Sequence, residues 1–187
     1  MVMPSVWQND WTVAKLHALP SDGNRYEIIN GVLYVTPAPR LLHQWALHVL
    51  LDLLQPYARA RAFEGMCLAA DIQYSARTLV QPDLFVFPRV PGKPFREWSD
   101  VQPLQLVVEV LSPSTRRRDR TVKRALYQAQ GVPEYWIVDL DVRAIERWRP
   151  ESSFADVCTA TLAWQPLPAQ EPLLIDVAAY FQKVLDG

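Results

Sequence analysis

The sequence predicts a mixed α/β domain in which helices pack on a sheet of parallel and antiparallel strands. A long amphipathic helical pattern precedes several short β-rich runs. Residues 104–111 form a nearly continuous apolar run, which is typical of a strand covered on both faces. A helical segment separates that run from the next strand at residues 135–139, so these two strands can pair in parallel across one crossover helix.

Composition limits the domain count and the classes of partner. A chain of 187 residues that is 50% hydrophobic has enough apolar material for one core, so we expect a single domain over residues 1–187. A formal net charge of -1 excludes a basic body that coats nucleic acid, and any nucleic-acid contact must be local. Cys67 and Cys158 lack the spacing of a zinc site or a disulfide framework. Without a signal-like start or a long apolar run, we expect a cytoplasmic protein with no membrane partner.

The N-terminal third predicts a short helix, a hairpin and a long helix. Asn9 and Asp10 can cap a helix over residues 11–19. Residues 25–29 and 32–36 flank Asn30-Gly31, the dipeptide preferred in type I′ turns, and this pattern predicts a β-hairpin. A helix is predicted from Leu41 to about Ala62, with its apolar stripe on Leu42, Trp45, Ala46, Val49, Leu50, Leu53 and Leu54.

The remaining elements alternate between strands and helices. Residues 66–74 and 78–87 are β-rich, and residues 88–103 form an irregular stretch that is either a substrate-facing flap or a plain surface excursion. The strand at 104–111 is followed by a helix from Thr115 to Gln130, whose sheet-facing side is predicted on Val122, Leu126 and Ala129. Strands at 135–139, 144–149 and 154–164 and a terminal helix at 176–185 complete the order.

Two carboxylates fall on predicted strands. Glu109 is the one charge in its apolar strand, and Asp83 follows Pro82 at the start of the apolar run 84–87. If those strands are neighbours, the carboxylates repel unless a cation lies between them, and Mg²⁺ prefers such oxygen ligands. The alternative is a buried Glu109 paired with an arginine such as Arg116, and the residue types alone favour neither.

The helix after Glu109 carries the main basic cluster of the chain. Its cations are Arg116, Arg117, Arg118, Arg120, Lys123 and Arg124. Asp119, Lys123 and Tyr127 follow i, i+4 spacing, so Lys123 can reach the carboxylates and stabilise charge on a phosphate. The arginines are candidates for nucleic-acid phosphate contacts, although each one taken singly is more typical of a solvated helix face.

Two further residues are candidates for an additional site. His43 lies near the start of the long helix, beside the apolar stripe, where a lone histidine is more often structural than a metal ligand or phosphate contact. Glu27 alternates with apolar neighbours in the hairpin, and this alternation predicts an outward-facing carboxylate. The sequence has no GxSxG, P-loop, GxGxxG or HExxH motif, so serine-nucleophile, nucleotide-triphosphate, dinucleotide and zincin chemistry lack support.

Several of these segments resemble one protein family. The segments are Tyr26-Glu27-Ile28-Ile29-Asn30-Gly31, His43 early in a helix, Gln81-Pro82-Asp83, Val108-Glu109-Val110-Leu111-Ser112-Pro113-Ser114-Thr115, residues 123–127, and Gly131-Val132-Pro133-Glu134-Tyr135-Trp136. Together they resemble a bacterial, cyanobacteria-rich family described as restriction endonucleases of unknown function, within the PD-(D/E)XK nuclease superfamily. The likeness spans roughly residues 10 to 150.

The resemblance implies a restriction-endonuclease-like core of helix, strands, helix and strand in a mixed α+β sheet, with an extra N-terminal β-hairpin. It implies that Asp83, Glu109 and the Val110 carbonyl hold Mg²⁺, for which Mn²⁺ can substitute. The superfamily lysine two places after the second acid is Leu111 here, and similar proteins supply a lysine from the following helix, which is Lys123 in this chain. His43 matches a first-helix histidine of some superfamily nucleases.

The expected function is metal-dependent hydrolysis of DNA phosphodiester bonds, with Asp83, Glu109 and Lys123 catalytic. Because superfamily nucleases are often dimers, we also expect a homodimer. Three alternatives stay open: a catalytically inactive module that binds nucleic acid or a protein partner, a hydrolase of smaller phosphoesters, and a mobile-element or toxin component whose partner is a protein. A steep salt dependence of DNA binding would separate the nuclease from the hydrolase of smaller phosphoesters.

Overall fold

The computed structural model describes residues 10–187, which form a mixed α/β fold as predicted. The helices are α1 (Val13–Leu16), α2 (Leu41–Arg59), α3 (Arg116–Arg118, π-helical Asp119–Lys123 and Arg124–Ala129 in succession) and α4 (Val177–Leu185). The strands are β1 (Arg25–Ile29), β2 (Val32–Thr36), β3 (Phe63–Met66), β4 (Ile72–Ser75), β5 (Thr78–Val80), β6 (Leu84–Pro88), β7 (Leu106–Val110), β8 (Glu134–Asp139), β9 (Ala144–Trp148), β10 (Asp156–Cys158), β11 (Thr161–Trp164) and β12 (Leu173–Asp176).

A six-stranded sheet in the order β10-β9-β8-β7-β6-β3 forms the centre of the fold. β7 and β8 pair in parallel, and the other neighbours in this sheet pair antiparallel. The predicted parallel pairing across one crossover helix is therefore confirmed. A second sheet has the order β2-β1-β5-β4, and β11 pairs with β12.

The central sheet is covered on both faces. On one face, Val86, Val108 and Trp136 pack in a core with buried residues of α2, α4, β11 and β12. On the other, Phe85 and Val107 share a core with residues of α3 and the second sheet. Since strand neighbours alternate between faces, Glu109 lies on the same face as Val107, towards α3. This layering explains why β7 reads as an unbroken apolar run.

The hairpin prediction is confirmed to the residue. β1 and β2 pair from Arg25 opposite Thr36 to Ile29 opposite Val32. The linking residues Asn30 and Gly31 have φ angles of 52° and 82°. Both lie in the left-handed region that a type I′ turn requires.

The predicted strand at residues 78–87 is two strands of different sheets. Pro82 has no N–H to donate to a ladder, and the N–H of Gln81 donates to the side chain of Glu27 instead (2.9 Å). The chain therefore leaves the second sheet after Val80 and enters the central sheet at Leu84. This crossing puts Asp83 at the junction of the two sheets. The run at 154–164 likewise splits into β10 and β11.

The ends of the first and last helices differ modestly from the predictions. α1 is shorter than predicted, and Thr12 caps it by accepting a hydrogen bond from the Lys15 N–H (3.3 Å). The alternative cap Asn9 lies outside the described residues. Asp176 caps α4 through the Ala179 N–H (2.9 Å). None of the helices in residues 10–187 has the length and apolar character needed to cross a membrane.

On both long helices the buried face overlaps the predicted one without matching it. On α2, Leu42, Trp45 and Leu53 of the predicted stripe are 44%, 41% and 41% exposed, and Leu47 and Ala58 are buried in addition to the four predicted residues that are buried, Ala46, Val49, Leu50 and Leu54. On α3, Ala129 is exposed, and the buried residues are Asp119, Lys123, Leu126 and Tyr127. The buried side of α3 is polar because its charged side chains meet partners there.

Candidate active site

Asp83 and Glu109 lie side by side on neighbouring strands. Leu84 pairs with Val108 in the β6–β7 ladder, which puts Asp83 beside Glu109. Asp83 Oδ2 accepts a hydrogen bond from the Val110 N–H at 3.0 Å, and both carboxyl side chains are only 4% exposed. The two carboxylates thus form a pair at the edge of the core.

The side chains of Arg25 and His43 contact Asp83. Arg25 Nη1 donates to Asp83 Oδ1 at 2.6 Å, and His43 Nε2 lies 3.0 Å from Asp83 Oδ2. Burial by itself raises the pKa of Asp83, but His43 and Arg25 outweigh burial and hold that pKa well below its ordinary value. His43 therefore contacts the Asp83 member of the carboxylate pair, and Asp83 stays ionised.

The contacts of Glu109 differ from those of Asp83. Lys123 Nζ donates to Glu109 Oε1 at 2.8 Å, and the Tyr127 hydroxyl donates to the same oxygen at 3.3 Å. The alternative pairing with Arg116 is wrong. Burial raises the pKa of Glu109, and the neighbouring carboxylates Asp83 and Asp119 raise it further, so that it lies well above its ordinary value despite Lys123.

Glu27 corrects a prediction, because it faces inward and is 2% exposed. Its Oε1 lies 2.8 Å from Lys123 Nζ and accepts the Gln81 N–H, while Oε2 lies 3.2 Å from Arg118 Nη2. Burial raises the pKa of Glu27, but Lys123 and Arg118 outweigh burial and lower it below the ordinary value. The alternation in β1 was misleading because both faces of the second sheet are covered, and alternation predicts an exposed residue only where one face meets water.

Lys123 bridges the hairpin and the central sheet. Its ammonium lies between Glu27 and Glu109, 2.8 Å from each, and the residue is 1% exposed. Burial lowers the pKa of Lys123, but the two carboxylates raise it above its ordinary value, so the side chain stays charged. Leu111, at the superfamily's lysine position, is buried among apolar residues. The Lys123 ammonium thus reaches Glu109 from the helix and not from the strand.

Four of the five predicted phosphate-binding arginines have partners within the protein. Arg116 pairs with Asp139 and Asp141, Arg118 with Glu27, and Arg120 with Asp139 and Glu146, while Arg124 lies over the ring of Trp148. Arg117 is exposed. This basic cluster is therefore mostly a set of internal contacts, and its positive charge is largely neutralised locally.

Both carboxylates line a cleft with a volume of about 450 Å³. Its walls are the segment Thr36 to His43 and the segment Glu109 to Arg116, with Lys123 at the base. A second cavity of about 200 Å³ shares Arg25, Ala38, Pro39 and Asp83 with the first, so the two cavities are neighbours. No residue of the irregular stretch 88–103 lines either cavity, so the flap interpretation is not supported.

Sequence reasoning missed two residues of this cleft. Arg25 contacts Asp83, and the exposed Arg40 lies at the rim immediately before α2. Neither belongs to a charge cluster in the sequence. The sequence carries no local signal for Arg25, because only the structure shows that Glu27, two positions away on the same face of β1, is buried.

The carboxylate pair fits a hard divalent cation by its chemistry. Four buried carboxylates, those of Glu27, Asp83, Glu109 and Asp119, share three permanent cations, those of Arg25, Arg118 and Lys123. Burial is the main cause of the raised pKa of Glu109, and the neighbouring carboxylates raise it further. No group of three or more His, Cys, Asp or Glu side chains in residues 10–187 converges as a metal site. Two carboxylates suit Mg²⁺, which keeps several waters as ligands.

Comparisons with known proteins agree with this fold. The chain is similar to a solved structure described as a putative nuclease belonging to DUF820 from Anabaena variabilis, with a TM-score of 0.71 and 19% sequence identity. The match covers 94% of this chain and 99% of the other. No curated protein sequence matches the chain.

A family model matches most of the sequence. It is Uma2, described as "Putative restriction endonuclease", and it matches residues 13–176, a range that contains both carboxylates, Lys123 and the hairpin. The chain therefore belongs to the Uma2 family and shares its fold with that solved structure.

Proposed function

We propose that this protein is a Mg²⁺-dependent endonuclease that hydrolyses DNA phosphodiester bonds. One observation carries the proposal: Asp83 and Glu109 form an adjacent carboxylate pair at the base of a cleft, with the ammonium of Lys123 in contact with Glu109. Such a pair beside a fixed cation is suited to binding a metal and a phosphate together. The family's description as restriction endonucleases supports the same reaction class.

The residues of the pair have distinct roles in this proposal. Asp83, Glu109 and the Val110 carbonyl would hold Mg²⁺ or Mn²⁺. The bound metal supplies Lewis acidity, which lowers the pKa of water and neutralises phosphate charge. Lys123 holds a fixed positive charge next to Glu109 and stabilises negative charge that develops on the phosphate.

Glu27 and His43 are positioning residues in this proposal. Glu27 holds Lys123 from the side opposite Glu109, and it is itself held by Arg118 and the Gln81 N–H. His43 holds Asp83 from α2. Because both act through another residue, loss of either should reduce the rate less than loss of Asp83 or Glu109.

The experiment is a nicking assay on supercoiled and linear DNA with Mg²⁺, Mn²⁺ or EDTA. Asp83→Asn and Glu109→Gln keep the size of each side chain and remove its charge, and each should lower cleavage at least about a hundredfold. Asp141→Asn is the matched control, because Asp141 also lines the cleft but lies outside the carboxylate pair. Circular dichroism and urea unfolding should show that all variants fold.

A second candidate is a catalytically inactive module that binds nucleic acid or a protein partner. It is favoured by the internal contacts at the pair, since Arg25 and the Val110 N–H hold Asp83, and Lys123 and Tyr127 hold Glu109. Such contacts would also satisfy a purely structural cluster. Calorimetry separates the candidates, because the module predicts neither cleavage nor Mg²⁺ binding that depends on Asp83.

A further inference from the structure

We infer that the cleft takes a single-stranded stretch of DNA and excludes intact duplex. The inference rests on the proposed nuclease function and names the form of DNA that the site accepts. Four features carry it: the depth of the charged groups, the two neighbouring cavities that share Asp83, the internal neutralisation of the arginines, and an exposed tryptophan one helical turn from a residue of the cleft.

The charged groups lie too deep for a duplex to reach them. Asp83, Glu109 and Lys123 are 7%, 3% and 1% exposed, so a phosphate must enter the cleft to meet them. A volume of about 450 Å³ is in the range of pockets that enclose one small-molecule ligand, on the order of one or two nucleotides. Duplex DNA is stiff and keeps its strands paired, so one of its strands enters such a space only after local melting.

The two cavities lie next to each other around Asp83. Arg25, Ala38, Pro39 and Asp83 line both of them, while Glu109 lines the larger cavity and Cys67 the smaller. In the inferred complex, a strand with a phosphate at Asp83 extends past Glu109 on one side and past Cys67 on the other. This arrangement suits an internal bond of a single strand.

The surface charge does not suit a duplex. Proteins that grip duplex DNA neutralise several phosphates with a basic face. Here Arg116, Arg118 and Arg120 are engaged with carboxylates, and the formal net charge of the chain is -1. At the rim of the cleft, Arg40 is exposed and can meet a phosphate of an entering strand.

An exposed aromatic ring that lines neither cavity lies one helical turn from a residue of the cleft. Trp45 is 41% exposed and is one helical turn from Leu42, which lines the cleft, so the two side chains share a face of α2. Unpaired bases stack on such rings without regard to sequence, whereas the bases of a duplex are already stacked on one another. Trp45 therefore offers a stacking surface to a strand that leaves the cleft past Arg40.

The test compares binding of one fluorescent strand free, in a fully paired duplex, and in a duplex with a central unpaired bubble. Fluorescence anisotropy with Ca²⁺ and with EDTA measures affinity, and cleavage of the same probes with Mg²⁺ or Mn²⁺ measures rate. We expect the strand and the bubble to bind at least tenfold more tightly than the duplex, and to be the probes that are cut. Equal or tighter binding of the paired duplex would overturn the inference.

Two variants locate the strand on the protein. Arg40→Ala should weaken single-strand binding about fivefold and reduce the slope of log affinity against log salt by about 0.7, the value for one phosphate contact. Trp45→Ala should weaken it about fivefold through lost stacking. The controls are Arg96→Ala and Phe154→Ala, which remove an exposed cation and an exposed ring outside both cavities. Equal effects of variant and control would contradict the proposed path.

The binding and cleavage measurements together separate failure of the inference from failure of the proposed function. Absence of cleavage on every probe, with single-strand preference in binding and sensitivity to Arg40→Ala, would reject the nuclease proposal and support the strand-binding cleft. Cleavage of the paired duplex as fast as of the single strand would support the nuclease and reject the inference.

Discussion

Helix α3 contributes residues to two charged regions that differ in burial. The inner cluster comprises Glu27, Asp83, Glu109, Asp119 and Lys123 with Arg25 and Arg118, and its carboxylates and its lysine are buried. The outer network comprises Arg116, Arg120, Asp139, Asp141 and Glu146. In the outer network, the arginine side chains are 38% and 30% exposed and partly hydrated.

The difference in burial suggests different roles, and we propose that the inner cluster serves the reaction whereas the outer network holds the helix in place. The outer network ties α3 to β8 and β9 through arginines that stay partly hydrated, although Asp139 itself is buried. The inner cluster is largely desolvated, so it costs stability that apolar residues would not cost. A perturbed pKa beside a cleft is typical of a functional site, and Glu109 meets both conditions.

The largest effect should come from removing the ammonium of Lys123, which Glu27 and Glu109 of the inner cluster share. Lys123→Met keeps the apolar stem and removes the ammonium, leaving Glu27 and Glu109 buried without it. We expect a loss of about 3–5 kcal/mol of unfolding free energy at neutral pH, measured by urea titration. Lys183→Met, at an exposed position on α4, is the control and should change little. A loss below about 1 kcal/mol would mean that the inner cluster is solvated.

A divalent cation should stabilise the inner cluster and leave the outer network unaffected. At a hundredfold excess over its dissociation constant, Mg²⁺ should raise the unfolding free energy by about 2.7 kcal/mol. Asp83→Asn should abolish this gain, whereas Asp139→Asn should retain it, although Asp139 is equally buried. Thermal unfolding with and without Mg²⁺ measures both effects. If Mg²⁺ raised the unfolding free energy of Asp83→Asn and Asp139→Asn equally, the metal would bind elsewhere.

A smaller effect should follow from cutting the outer network. Arg120→Ala removes contacts to Asp139 and Glu146, but Asp139 keeps Arg116 at 3.4 Å and the Asp141 N–H at 3.1 Å. Glu146 loses its arginine but is only partly buried, and the buried Asp139 keeps partners, so we expect a loss of about 1–2 kcal/mol in urea titration, with Mg²⁺ binding unchanged. If Arg120→Ala cost as much as Lys123→Met, the distinction between the two regions would fail.

The smallest effect should be the pH dependence of stability that Glu109 contributes. Its pKa is raised in the folded state, so the stability linked to its protonation is complete below the ordinary carboxyl value and is lost as pH rises through the folded value. Glu109→Gln has no carboxyl group to titrate at this position, so it avoids that loss of stability. It leaves the inner cluster with three carboxylates and three permanent cations. Without metal, the variant should gain about 1 kcal/mol over the parent protein by neutral pH, and the gain should shrink towards pH 4. A gain independent of pH would show that Glu109 titrates normally.

The sequence predicted those parts of the site that depend on local pattern. The apolar run around Glu109 predicted a strand with both faces covered, and Asn30-Gly31 predicted the hairpin register. It could not predict that Pro82 divides one β-rich run between two sheets, because the choice of ladder partner is a long-range property. For the same reason, Arg25 could not be recognised as a neighbour of Asp83, 58 positions away.

The sequence by itself determined the element order, the mixed α/β class and the candidate carboxylates Asp83 and Glu109. These follow from hydrophobic periodicity, turn chemistry and the cost of a charge in an apolar strand, all of which act locally. Tertiary structure decided which charges meet. Glu27 faces inward, Lys123 bridges two sheets, and the arginines of α3 are largely neutralised within the fold. The physical reason is that burial and Coulomb attraction depend on distance in space, which the order of residues along the chain does not specify.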